Sequence, residues 1–150
     1  MALDPALERE FDDFDSVIER RSTVYRRWTR REGMSIALFH VLSRLSHRDE
    51  TGASPSELAD DYLIPRQTMT GIVESLSRDG LVTVEPDPAD GRRKLLRLSE
   101  AGHAYVGRHL GRIHEQEVSA YLSLGEDERA QLGALMRKYV AALEGAVGAD

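Results

Sequence analysis

Near the start of the chain apolar residues recur in alternating steps of four and three: Leu7, Phe11, Phe14, Ile18, Tyr25 and Trp28, with Arg21 interrupting at the expected core position. That period is a helical seam of the heptad kind, and a seam this long needs a partner helix from the same chain or from another subunit. Acids fill its first half and Arg20, Arg21, Arg26, Arg27, Arg30 and Arg31 its second, the order a helix dipole favours. Gly33 predicts the stop. Ile36, Phe39, Leu42 and Leu45 predict a second helix over 35–47, followed by the polar loop Asp49, Glu50, Thr51 and Gly52.

Ser54-Pro55-Ser56-Glu57 has the form of a helix start: Ser54 caps, Pro55 suits the first turn and Glu57 closes a capping box. The helix it opens is short, turns Leu58 and Ala59 inward and ends near Tyr62 or Leu63. Pro65 opens a fourth helix whose apolar face is Met69, Ile72, Val73 and Leu76, and Gly80 stops it. Two short helices on a tight connection are what a helix-turn-helix requires. The outer face of the second carries Arg66, Gln67, Thr70, Glu74, Ser77 and Arg78. Arg, Gln and Thr at its leading end can hydrogen-bond base edges and phosphates. Taken alone, that face reads equally well as an ordinary solvated one.

The next segment weighs against the ordinary reading. Leu81-Val82-Thr83-Val84 is a strand-forming run, Glu85 through Gly91 is a turn, and Lys94-Leu95-Leu96-Arg97-Leu98 can return as a second strand. The turn ends in Arg92-Arg93-Lys94. A basic hairpin directly after a helix-turn-helix is a wing, which sets cations in a minor groove or on phosphates. The last third is helical again. Ser99 caps, and Tyr105, Leu110, Ile113, Val118, Tyr121 and Leu122 form one apolar side over about six turns. Leu124-Gly125 breaks it. Glu126, Asp127 and Glu128 then start a final helix with Leu132, Leu135, Met136, Tyr139 and Leu143 on its face. These end segments exceed what a lone winged head needs and are read as dimer-forming.

The expected fold class is therefore mainly α with a small β-hairpin wing, a winged helix-turn-helix with N- and C-terminal dimerisation helices. Its expected organisation is 1–33 as N-terminal dimerisation helix, 34–98 as the DNA-binding region and 99–150 as C-terminal dimerisation helices, intertwined as one domain.

Composition narrows the function. The 150 residues, 41% hydrophobic, suffice for one domain with a core. The absence of cysteine excludes a disulfide scaffold, a cysteine-ligated zinc finger and a thiol switch. No apolar run approaches the ~18 residues of a membrane span, and the acidic start is no secretory leader, so a soluble cytoplasmic protein is expected. The net charge of -6 is uneven: residues 1–19 carry -6, 20–114 carry +4 and 115–150 carry -4. Acidic ends that dimerise and a basic centre that meets DNA would reconcile these values.

Enzymatic chemistry finds no support. There is no nucleophile elbow, P-loop or dinucleotide fingerprint. The acids between Glu85 and Gly91 miss the alternating spacing of a calcium loop. His109 and His114 are five apart, which does not share a helix face well. No metal and no cofactor are expected, and the five histidines, His40, His47, His103, His109 and His114, are read as solvated or satisfied in the core.

The chain resembles the MarR family of bacterial transcriptional regulators. The resemblance rests on Ser54-Pro55-Ser56-Glu57-Leu58-Ala59, Asp79-Gly80-Leu81-Val82, Asp87-Pro88-Ala89-Asp90-Gly91-Arg92-Arg93 and Leu98-Ser99-Glu100-Ala101-Gly102, and the element order matches over nearly the whole length. It implies a two-fold homodimer with interlocked end helices, a fourth helix in the major groove and a wing at the minor groove. It also implies release from double-stranded DNA by small, often aromatic, ligands. Carried over by position, Arg66, Gln67, Thr68 and Thr70 lie on the recognition helix, Arg92, Arg93 and Lys94 on the wing, and Asp90 braces Arg92. Tyr25, Trp28, Phe39 and His40 fall where relatives have ligand clefts. Zinc-binding relatives take ligands from the second and fifth helices, which singles out His40 and His109. Gly71 and Ser75 stand where relatives often carry bases, so the wing and Arg66 must supply more of the charge. The function implied is a sequence-specific, ligand-responsive repressor on a pseudo-palindromic operator. The alternative is a winged-helix protein-interaction module without its own operator.

Overall fold

Local signals account for most of the helix ends. The computed structural model describes residues 4–48 and 50–148; Asp49, in the expected polar loop, lies outside the described residues, as do 1–3 and 149–150. Helix α1 (Pro5–Arg31) begins where the Asp4 carboxylate accepts the Ala6 N–H at 2.8 Å, and ends just before Gly33. Helix α2 (Ile36–His47) is capped by the Ser35 hydroxyl, which accepts the Leu38 N–H at 3.1 Å. Helix α3 (Pro55–Asp61) carries the full capping box: Glu57 N–H donates to Ser54 Oγ at 3.2 Å, and Ser54 N–H donates to Glu57 Oε2 at 2.9 Å. Each bond satisfies an amide that the helix itself leaves without a partner.

The turn from α3 to α4 (Arg66–Arg78) holds Leu63 at φ 49°, the one non-glycine residue with positive φ among the described residues. Gly80 follows α4 at φ +68°, a left-handed conformation that stops a helix without a Cβ clash. Strands β1 (Val82–Pro86) and β2 (Lys94–Leu98) pair antiparallel, in register from Val82↔Leu98 to Pro86↔Lys94. The first strand runs further into the expected turn than its apolar residues suggest. Pro86 lacks an N–H, yet its place at the loop end of the outer strand tolerates that. Ala53 bridges Leu96 from the other side of β2, with N···O distances of 3.1 and 2.9 Å, so the hairpin is fastened to the loop before α3.

Helix α5 (Glu100–His109) starts at Ser99, whose hydroxyl accepts the Gly102 N–H at 3.0 Å and donates to the Gly80 carbonyl at 2.6 Å. The Ser99 N–H donates to Leu81 O at 3.0 Å. Two of the motifs quoted above thus meet in space: the Gly80-Leu81 corner receives the start of α5. The core beneath is Val41, Leu42, Leu45, Leu58, Met69, Leu76, Val82, Leu96 and Leu98, all buried. It joins α2, α3, α4 and the hairpin.

The expected long helix after Ser99 is interrupted. Leu110 separates α5 from α6 (Gly111–Leu122), and Gly107 and Gly111, weak helix formers, flank the break. Helix α7 (Glu126–Val147) follows the expected break at Leu124 and Gly125, and the Gly125 N–H donates to Glu128 Oε2 at 2.7 Å. The chain divides at the α5–α6 interruption into two compact units, Met1–Leu110 and Gly111–Asp150. No helix among the described residues is long and apolar enough to cross a membrane.

Candidate nucleic-acid interface

Helix α4 buries Met69 and Leu76, half-buries Ile72 and Val73, and turns Arg66, Gln67, Thr68 and Thr70 to solvent. This division follows from 3.6 residues per turn. Pro65 offers no side-chain cap, so the first-turn amides of α4 receive no acceptor from a cap residue. Gln67 and Thr68 have no side-chain hydrogen bond or ion pair among the described residues, whereas the Thr70 hydroxyl donates to Arg66 O at 3.0 Å. Arg66 reaches back across the turn to Asp60, Nη2 to Oδ1 at 2.9 Å; both side chains are two-thirds exposed, so the pair is weak and separable.

The wing loop is shaped by its acids. Asp87 Oδ1 accepts the Ala89 N–H at 2.9 Å. Asp90 Oδ1 accepts the Arg92 N–H at 3.0 Å, and the Asp90 carbonyl accepts the Arg93 N–H at 2.8 Å. The Asp90 brace therefore acts on the main chain of Arg92. Among the described residues the Arg92 guanidinium and the Lys94 ammonium have no hydrogen-bond or ion-pair partner, while the Arg93 side chain, 43% exposed, turns toward α3. Its Nη2 lies 3.1 Å from Ser54 Oγ and 3.3 Å from Glu57 Oε1. The Glu57 carboxyl is held below its ordinary value, chiefly by the Ser54 N–H and then the Ser54 hydroxyl, with the Arg93 charge adding to both. Sequence reasoning missed Ser54, Glu57 and Asp60 as partners of the basic residues. The capping box was visible, but not that Glu57 had a second oxygen to offer.

Helix face and wing share one surface. An open cleft of about 430 Å3 is lined by Ser54, Ser56, Arg66, Met69, Thr70, Val73, Arg92, Arg93 and Lys94 among others.

The four aromatic candidates also come together, apart from that cleft. The rings of Trp28 and Phe39 lie 5.3 Å apart, edge to face, and those of Tyr25 and Phe39 5.8 Å apart. Phe39 is followed by His40 at 5.5 Å, and His40 stacks on Tyr62 at 4.7 Å. Tyr62, the C-cap of α3, was not singled out in the sequence; it extends the aromatic chain from α1 through α2 to the helix-turn-helix. Burial pushes the His40 imidazole below its ordinary value. His109 does not join His40 in a ligand cluster: its Nδ1 lies 3.1 Å from Glu32 Oε2, its ring packs on Tyr105, and no three ligand-type side chains converge among the described residues.

A helix-turn-helix followed by a two-stranded wing makes this a winged helix-turn-helix protein. Residues 32–93 match the sequence model of the MarR family. The HTH-type transcriptional repressor NicR of Pseudomonas putida is 31% identical over 62% of the chain, which spans 59% of that relative, less than two thirds of its length. NMB1585, a MarR family regulator from Neisseria meningitidis, superimposes with a TM-score of 0.73 over 93% of this chain and 96% of that one at 22% identity. The PcaV transcriptional regulator from Streptomyces coelicolor, solved in complex with its natural ligand, has a TM-score of 0.61 and 28% identity over 96% of this chain and 99% of that one.

Proposed function

We propose that the chain is a sequence-specific DNA-binding transcriptional regulator, a ligand-responsive repressor that works in the cytoplasm as a homodimer on a pseudo-palindromic operator and has no enzymatic activity. One observation carries the reading: the outward face of α4 and the cations Arg92 and Lys94, which have no partner among the described residues, border the same open surface. A duplex with its major groove on α4 would bring phosphates or a minor groove to the wing. Gln67 on the leading turn can pair with adenine through two hydrogen bonds, and the uncapped α4 start suits a phosphate. The likeness to a named repressor supports the same reading.

Effector response rests on the aromatic chain. A small aromatic compound among Tyr25, Trp28, Phe39 and His40 would bear on Tyr62 and so on the turn that orients α4. PcaV, solved with its natural ligand, supports looking for such a compound.

The test begins by recovering genomic fragments bound by the protein and measuring affinity across salt concentrations. Arg92→Ala should weaken specific and non-specific duplexes together and flatten the salt slope, by about one unit per lost phosphate contact. Gln67→Ala should relax preference at one base pair per half-site, a difference of ~1–3 kcal/mol, and leave the slope unchanged. If Arg92→Ala leaves affinity and slope intact, the wing does not touch DNA and the protein-interaction reading takes its place.

A further inference from the structure

The three consecutive bases of the wing are not equivalent in space. Arg92 and Lys94 have no side-chain partner among the described residues, but Arg93 is engaged at two points on the N-terminus of α3. The backbone explains why it reaches there. Ala53 and Leu96 form an antiparallel bridge, and extending that register sets residue 93 opposite residue 56, within the first turn of α3. The side chain then meets Ser54, which is 2% exposed, and the free oxygen of Glu57. Ser54 Oγ accepts from the Glu57 N–H and the Arg93 guanidinium at 3.2 and 3.1 Å and shares a hydrogen bond of 3.1 Å with the Ser56 hydroxyl. Glu57 divides its carboxylate, Oε2 to the Ser54 amide and Oε1 to Arg93. One guanidinium nitrogen, Nη2, meets both acceptors, whereas an ammonium is a point charge with a different reach.

We propose that Arg93 is a positioning residue. Held by Ser54 and Glu57, it ties the loop end of the wing to the cap of α3, so that wing and helix-turn-helix present Arg92, Lys94 and α4 to the duplex as one rigid head. Arg93 is then not a phosphate contact, although its place in a basic run suggests one. The same bonds oppose such a contact, because a phosphate would have to draw the guanidinium away from a carboxylate. The Arg93 carbonyl also accepts the Asp87 N–H at 2.9 Å, so a fixed Arg93 fixes the entry to the wing loop.

The proposal rests on the duplex-binding reading, and the experiment separates the two. The full chain and its R92Q, R93Q, R93K, E57Q and E57Q/R93Q variants, each checked for folding by circular dichroism, are titrated with a fluorescein-labelled duplex of mixed sequence over a salt series. R92Q should flatten the slope by about one unit per lost contact. R93Q should weaken binding about fivefold, the scale of a half-exposed ion pair, with the slope unchanged. R93K, despite its charge, should be nearly as weak as R93Q. E57Q should match R93Q, and the double variant should be no weaker than either single one. A flattened slope in R93Q, full affinity in R93K, or tighter binding in E57Q would each overturn the proposal, since a direct phosphate contact predicts all three. Amide hydrogen exchange of the free protein gives a readout without DNA. R93Q and E57Q should both speed exchange at Ser54 and Asp87, and unchanged rates would also overturn the proposal. If wild type binds no duplex, the functional reading fails and the exchange rates alone decide the role of Arg93.

Discussion

At the scale of single residues, the corner where β1 and α5 meet leaves no room for a side chain at Gly102. A Cβ built there would lie 2.0 Å from Leu81 O and 3.2 Å from a methyl of Leu98. Leu81 O cannot retreat, because it accepts the Ser99 N–H. Gly102→Ala should therefore cost about 1–3 kcal/mol or more, as overpacking against backbone does. Gly107 lies in the same helix with nothing within 4 Å of its built Cβ. Gly107→Ala should gain up to about 1 kcal/mol from helix propensity. Urea unfolding of the pair gives the sign of each. Equal changes in both variants would show that the Leu81 contact is not rigid. The sequence pattern that marks Gly102 is thus a packing requirement at the root of the wing, and the wing's orientation depends on it.

At the scale of elements, α4 combines a well-made inner face with an outer face poor in cations. Gly71 lies in its middle, and a Cβ there would meet nothing within 4 Å. No neighbouring helix among the described residues requires a glycine, so its cost of roughly 1 kcal/mol relative to a good helix former is not offset within the chain. Gly71→Arg adds a base to the middle of that outer face. It should raise stability by about 0.5–1 kcal/mol and steepen the salt dependence of duplex binding by about one unit per added contact. Thermal unfolding and a salt titration check the two parts separately. Stabilisation without a steeper slope would mean that the middle of α4 stays clear of the phosphates.

At the scale of the whole molecule, the apolar seams of the end helices lack cover. Leu7 and Phe11 on α1 are each 50% exposed, and on α7 Leu135 is 64% and Leu143 50% exposed. Helix α7 has 22 residues and buries none of them. Each leucine fully buried would contribute about 1.5–3 kcal/mol, so these faces favour association strongly. A second copy of the chain carries matching seams, and a closed two-fold pair would bury both. Replacing Leu135 and Leu143 together by Glu should give monomer or aggregate by sedimentation and abolish high-affinity duplex binding. A folded wild-type monomer at micromolar concentration would exclude this assembly. A dimer also sets the half-sites about one helical turn apart, because both heads must face the same side of the duplex.

What the residues determined alone is whatever depends on short range. Helix period, caps such as Ser54 and Ser99, the stop at Gly80 and the hairpin pattern are satisfied within a few positions, so they were legible before any fold was known. The wing and the outward face of α4 were legible for the same reason. Tertiary structure decided matters that join distant positions. It paired Arg93 with Ser54 and Glu57 while Arg92 and Lys94 found no partner among the described residues, a distinction invisible in three adjacent bases. It brought Tyr62 onto His40 and joined Gly80-Leu81 to Ser99 and Gly102. It also broke the last apolar stripe at Leu110, where a continuous period concealed two helices. The reason is common to all of these. An ion pair or a close approach needs two groups at a fixed distance, and a one-dimensional pattern records what each residue prefers but not what it meets.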